Sequence, residues 1–359
     1  MIRCTPVSSW RISNHLQYFN YRILMRTFLI RRLFSMILVW FGVTLLTFFI
    51  ANYVPRDPVA LRLGPKATPE SIAFWRHQYG LDLPLPQQYL HFINNLAHGD
   101  LGTSIWSGRP ILRDLADYFP ASFELALVTF LLVILVGLPM GILAARSPDG
   151  WFDRAAQALA NFGLAVPLFW IGLVFQILFY SRLGILPLDN RVDLLLGAPK
   201  TVTGMYLLDS LLGGDLPRLA NTLKHILLPA ITLSLPSIGG VARMTRASVL
   251  DVLTLDYVRA ARAKGVPART LLWHHVLRNA LLPVVTTLGN IFNALLAGVF
   301  VVEVVFNWPG LGWYATRVIL ASDYGAIVSI TLVIAVLATF VNLVVDILYA
   351  VLDPRIQLT

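Results

Sequence analysis

Apolar positions in this chain fall into long unbroken runs rather than the short alternations of a half-buried strand. A hydrocarbon core about 30 Å thick takes about 20 residues of helix to cross. Six runs meet that length: Leu33 to Val54, Ala121 to Ala145, Ala156 to Leu183, Ile226 to Val249, Leu281 to Val304 and Ala326 to Leu352. Backbone groups in lipid must be satisfied within the segment, and these runs far exceed the ~10 alternating residues of a barrel strand. The pattern predicts an all-α membrane protein with six transmembrane helices.

Composition agrees and excludes the soluble classes. Of 359 residues, 57% are hydrophobic and 13% charged, and the mean hydropathy is +0.70. The net charge of +9 does not point to nucleic acid, because a binder needs its basic face on a water-soluble body. A single cysteine, Cys4, closes no intrachain disulfide, and Cys/His metal spacing is absent, so neither metal nor cofactor is expected.

Charge sorting sets an expected orientation. With residues 1 to 32 inside, that side collects Arg3, Arg11, Arg22, Arg26, Arg31, Arg32, Arg146, Arg154, the basic run Arg243 to Arg278, and Arg355. The other side balances acid against base. The positive-inside rule then puts both termini in the cytoplasm. Met1 to Leu24 is polar and lacks the apolar core of a signal peptide, so it reads as an accessory tail, with Met25 as an alternative start.

Familiar enzymatic motifs are missing. None of the lysines (Lys66, Lys200, Lys224, Lys264) follows a glycine, so there is no Walker A loop. No histidine precedes a glutamate in the manner of a zinc hydrolase, and no serine sits at a nucleophile elbow.

The segment between the fourth and fifth runs is different in character. Tyr257 to Lys264 is Ala-rich and basic, Gly265 stands where a left-handed residue ends a helix, and Pro267 suits the first turn of another. A helix, a corner and a second helix standing out from the membrane could receive force from a separate motor. An interfacial segment held by anionic lipid is the equal alternative on these residues alone.

Arg259-Ala-Ala-x3-Gly265 resembles the "EAA" loop of ATP-binding-cassette importer permeases. The fuller Tyr257-Val-Arg-Ala-Ala-Arg-Ala-Lys-Gly265 run and Leu277-Arg-Asn-Ala-Leu-Leu-Pro283 are similar to the dipeptide/oligopeptide branch, B-type subunit. Further similar blocks are Leu81 to Tyr89, Gly99 to Ser104, Phe123 to Leu127, Pro167 to Gly172, His225 to Pro229, Val301 to Gly312 and Leu352 to Ile356. Arg259 stands where the general motif has Glu, and Arg56 where the family usually has Gly before Asp-Pro.

The resemblance implies a type I importer permease fold and a non-enzymatic subunit that forms half of a pathway for di- or oligopeptides. A nickel chelate, glutathione or another small solute is the alternative cargo, and an ion-coupled secondary transporter a lesser one. The implied partners are a second homologous permease in a heterodimer, two cytoplasmic ATPase subunits and a periplasmic or lipid-anchored solute-binding protein, with membrane lipid and no nucleic acid. The ATPase-docking residues would be Tyr257, Arg259, Ala260, Ala261, Lys264, Gly265, Val266 and Pro267. Expected domains are the 1–24 tail, 25–120 with the first helix and a long periplasmic loop, a 121–352 core with five helices, and a 353–359 cytoplasmic tail.

Charges at membrane depth invite a functional reading. Arg243 and Arg246 are expected to snorkel to the interface, and Glu124 to cap the start of the second helix after Pro120. Glu303 would face a gate, a partner or solvent, and Asp346 would sit in a structural ion pair. Breakers and small polar residues in runs four and five, with Pro236, Asn290 and Asn293 among them, mark candidate pathway walls.

Overall fold

The computed structural model describes residues 30–50, 68–78 and 82–352. The expectations for residues 1–24 and 353–359, and for Arg56, fall outside them. Among the described residues there is no strand, only an isolated bridge between Thr103 and Pro110. Helices α1 (Ile30–Ile50), α4 (Ile111–Arg146), α8 (Leu216–Leu253), α10 (Ala268–Val305) and α12 (Tyr324–Leu352) are each long and apolar enough to span a bilayer. Short helices α2 (Pro69–Gln78), α3 (Leu85–Ala97), α7 (Tyr206–Leu212), α9 (Asp256–Ala263) and α11 (Leu311–Leu320) lie between them.

The third run is not one continuous helix. It divides into α5 (Trp151–Ala165) and α6 (Leu168–Arg182), bent by 106°. The cause is local: Pro167 forces the residue before it out of the helical region, and Val166 lies at φ −95°, ψ 130°. A sixth span exists only if this bent pair is counted as one.

The second run also differs from expectation. Helix α4 begins at Ile111 and passes through Pro120, because in a membrane bundle neighbouring groups relieve the bonds that an internal proline frees. A widened π turn at Val133–Gly137 precedes Pro139.

Helix α8 is the centre of the bundle. Of its most apolar stretch 67% is buried, against 33% for α4 and α10 and 17% for α12. Small residues permit this: a Cβ on Gly239 would lie 2.5 Å from the Ala160 backbone of α5. One core joins α4, α8 and α10 through Leu125, Leu233, Leu295, Val299 and Trp308. Another, at the opposite end of α8, gathers Ala145, Val249, Val252, Val258, Leu271 and Val276.

Candidate functional site

The corner between α9 and α10 follows the sequence closely. Asp256, in the first turn of α9, complements the helix dipole, and the alanines sustain the helix to Ala263. Gly265 has φ +79°. Its N–H donates to the Arg262 carbonyl at 3.0 Å, and the Val266 N–H donates to Ala261 at 3.3 Å. These two bonds define a Schellman cap. A Cβ on Gly265 would meet nothing within 4 Å, so the demand for glycine is conformational and not steric.

Pro267 caps α10 from outside rather than entering its first turn. The second helix of the corner is the start of α10 itself, continuous with the span through a π turn at Leu271–Val276. No breaker lies between Ala268 and Pro283 to detach it.

Of α9 only Val258 is fully buried, in the core beneath. Burying one valine contributes about 1.5–2 kcal/mol. The Tyr257 hydroxyl is committed within the chain: it donates to the His275 carbonyl at 3.1 Å and accepts from Asn279 Nδ2 at 2.7 Å. Arg259, Ala260 and Lys264 are exposed, while Ala261 and Val266 lean into the core beneath. The Arg259–Asp256 pair, at 3.7 Å between exposed groups, adds little.

At the other end of α10 the chain turns at Asn307, φ 46°. Glu303 is completely buried within the chain, unlike the gate-facing, partner-facing or solvated position expected of it. It accepts from Ser122 Oγ at 2.5 Å, Gly312 N at 2.6 Å and Trp313 N at 3.1 Å. The carboxylate supplies acceptors to the first N–H groups of α11, which have no partner within their own helix. The Trp308 ring donates to the Ala121 carbonyl at 3.0 Å.

Two further charges are placed differently from the sequence expectation. Glu124 is no cap, being well inside α4: it pairs with Arg191 at 2.7 Å, with only 3% and 4% of the two side chains exposed. Arg191 also donates to the Gly204 carbonyl at 2.8 Å and lies 3.6 Å over the Tyr206 ring. The second carboxylate oxygen of Glu124 accepts from Leu207 N at 2.6 Å. Arg246 does not snorkel; both its Nε and Nη2 donate to buried Asp153 of α5 at 2.7 Å. Arg243 remains exposed, as expected. Asp346 is ion-paired as expected, with Arg32 of α1 as its partner.

Asn293 donates to Asn342 of α12 at 2.7 Å, while Asn290 is exposed and Pro236 half-buried.

Sequence reasoning missed Arg191 and Asp153. The available signal was the need itself, since a carboxylate or guanidinium at membrane depth requires a partner. Also missed was Asp323, which accepts from Ser104 Oγ and Ile105 N, both at 2.6 Å, and so ties the 98–110 loop to the start of α12. Nearby, burial pushes the Tyr314 hydroxyl up, leaving it a donor to Asp114 at 3.0 Å. Among the described residues no acidic or His/Cys group is assembled to hold a metal.

A bundle of apolar helices around a breaker-rich central span, with a basic helical corner projecting at one end, defines a multi-pass membrane protein of the transport class. The chain belongs to the family of binding-protein-dependent transport system inner membrane components: that family model matches residues 137–358, and its N-terminal companion matches residues 25–126. It is 43% identical over 326 residues to a probable D,D-dipeptide transport system permease protein of Escherichia coli, covering 91% of this chain and 96% of the relative. It is 40% identical to a di/tripeptide transport system permease protein of Pseudomonas aeruginosa, covering 93% and 99%. To an oligopeptide transport system permease protein of Bacillus subtilis the identity is 35%, covering 93% and 100%. The chain is thus a permease component of an ABC transport system that works with a solute-binding protein, and the type I permease fold expected from its motifs is the fold of its family.

Proposed function

We propose that this chain forms half of the pathway by which di- and oligopeptides enter across the bacterial cytoplasmic membrane, driven by partner ATPases. The observation that carries this reading is the match, over more than nine tenths of the chain, to permeases named for dipeptide, di/tripeptide and oligopeptide transport. Both termini lie in the cytoplasm. The other half is a second homologous permease, and residues 121–352 are the core that pairs with it.

The α9 corner enters a groove on one of two cytoplasmic ATPases, presenting Arg259, Ala260 and Lys264. Displacement of α9 passes through Val258 to Val249 and Val252 of α8 and to Leu271 and Val276 of α10, which share its core. Helices α8 and α10 wall the pathway, and peptide selection rests largely with the external binding protein.

A deletion strain should fail to grow on a dipeptide as sole source of a required amino acid while growing on the free amino acid. Proteoliposomes holding all partners should accumulate labelled peptide only with ATP on the ATPase side and binding protein on the other. Unchanged peptide uptake in the absence of a redundant importer, with nickel or glutathione uptake lost instead, would overturn the peptide assignment and leave the permease assignment standing.

A further inference from the structure

A cavity of about 630 Å³ opens where α4 and α8 end and α10 begins. Its floor is apolar, built from Ile142, Ala145, Val249, Leu253, Leu271 and Leu272. Arg146, the last residue of α4, Arg262 of α9 and Arg269 of α10 reach it from three separate elements, and no carboxylate lines it. Among the described residues, Arg32, Arg109, Arg191, Arg218, Arg246 and Arg259 pair with carboxylates, whereas none of these three does. Trp273, 59% exposed, stands beside them.

Three guanidiniums around one cavity repel one another unless an anion sits between them. Phosphate suits them, because the guanidinium fork donates in parallel to its oxygens. The floor adds a second requirement, since a small hydrated anion would leave it wet. The ligand must join a phosphate to a long apolar body, and it must be present where three spans meet the membrane surface. An exposed tryptophan is the residue type found at that level of a bilayer.

We propose that this cavity binds an anionic phospholipid, with the headgroup phosphate held by Arg146, Arg262 and Arg269 and an acyl chain lying along Leu253 and Leu271. The bound lipid would bridge the ends of α4 and α8 to the α9 corner. The site is independent of cargo, and its test needs no peptide.

The full-length chain, purified in detergent, is loaded with phosphatidylglycerol, cardiolipin or phosphatidylcholine, and retained lipid is counted by native mass spectrometry. The three arginines together predict at least about a tenfold preference for the anionic lipids. R146Q/R262Q/R269Q should abolish the preference. Ala268→Trp, which narrows the cavity and keeps the arginines, should reduce retention of the anionic lipids. Arg154→Gln, exposed on α5, should change nothing.

Equal retention of phosphatidylcholine, or unchanged preference in the triple variant, overturns the proposal. Displacement of the lipid by inorganic phosphate alone makes this a simple anion site and overturns it too. If the triple variant keeps its lipid preference but loses ATPase pull-down, the arginines face the partner and the proposal fails.

Discussion

At one end of α10 the preceding helix stops on Gly265, and at the other end α10 itself stops on Asn307. Both residues are left-handed, and both caps return two N–H groups to the same two carbonyl positions of the last turn. Around Asn307 the backbone is enclosed: Glu303, Ser122 and Trp308 are buried and bonded to three segments. Around Gly265 one buried valine and the Tyr257 bonds hold a helix that is otherwise exposed. The same local device thus makes a fixture in one place and a handle in the other. Groups of α4, 181 and 187 positions away in the chain, help to decide which, through the polar bonds they supply at Asn307 and not at Gly265.

The fixture should be the costlier to break. Arg191→Met leaves Glu124 buried without its cation, which should destabilise by about 3–5 kcal/mol. Replacing both, as Glu124→Gln with Arg191→Met, should recover a good part of that loss. Thermal unfolding of the detergent-purified protein checks the order. Equal loss in the single and double variants would mean that the pair carries more than charge compensation.

Comparable in size is Glu303→Ala, which strands the Ser122 hydroxyl proton and two α11 amides. Each buried unsatisfied group costs about 1–3 kcal/mol, and Glu303→Gln, which keeps one acceptor, should cost less. Hydrogen exchange at Gly312 and Trp313 reports the change locally.

The handle should yield to smaller changes with sharper consequences. Gly265→Val forces a β-branched residue to positive φ at about 1–2 kcal/mol, too little to unfold the bundle. Membrane insertion should be normal and ATPase association lost. Gly265→Asn, a residue that tolerates this conformation as Asn307 does, should retain most of the association. Equal loss in both variants would mean that the side chain clashes with the partner and that φ is irrelevant.

The smallest effect expected is pH-dependent and lies in the 189–215 segment that Arg191 anchors. Burial alone would raise the Asp209 carboxyl, but bonds donated by the Thr203 backbone and hydroxyl and by Val202 and Gly204 outweigh it and hold the group below its ordinary value. A carboxyl depressed in the folded state contributes stability at pH values above its unfolded value of about 3.9. That contribution is lost as pH falls through the folded value. Protection of the Thr203 and Gly204 amides, taken relative to their intrinsic exchange rates at each pH, should therefore stay flat from neutral pH until the medium is more acid than about pH 4. Asp209→Asn should abolish the acid limb.

Legibility in the sequence follows the range of the interaction. Gly265, the Ala-rich helix before it and the spans themselves are written in consecutive residues, so length and composition were sufficient to find them. The break at Val166–Pro167 was also local, but an apolar run continuing on both sides concealed it. The true start of α4 lay hidden because Pro120 reads as a terminus until neighbouring helices are present. Pairings such as Glu124 with Arg191, or Asp153 with Arg246, join residues 67 and 93 positions apart. Only packing selects such partners, although the need for some partner was visible in each isolated charge.

The decisive contact is the one that α9 makes. With Cys4 replaced by serine, Lys264→Cys should form a cross-link to an ATPase subunit in membranes of the assembled transporter, and an impermeant thiol reagent should reach it only after the cytoplasmic face is opened. Leu195→Cys, at a position 96% exposed in the 189–215 segment, should show the opposite: no ATPase cross-link, and labelling in intact cells. Labelling of Lys264→Cys from outside intact cells, or its failure to cross-link where transport is active, would contradict the placement of the Gly265 corner as the ATPase handle.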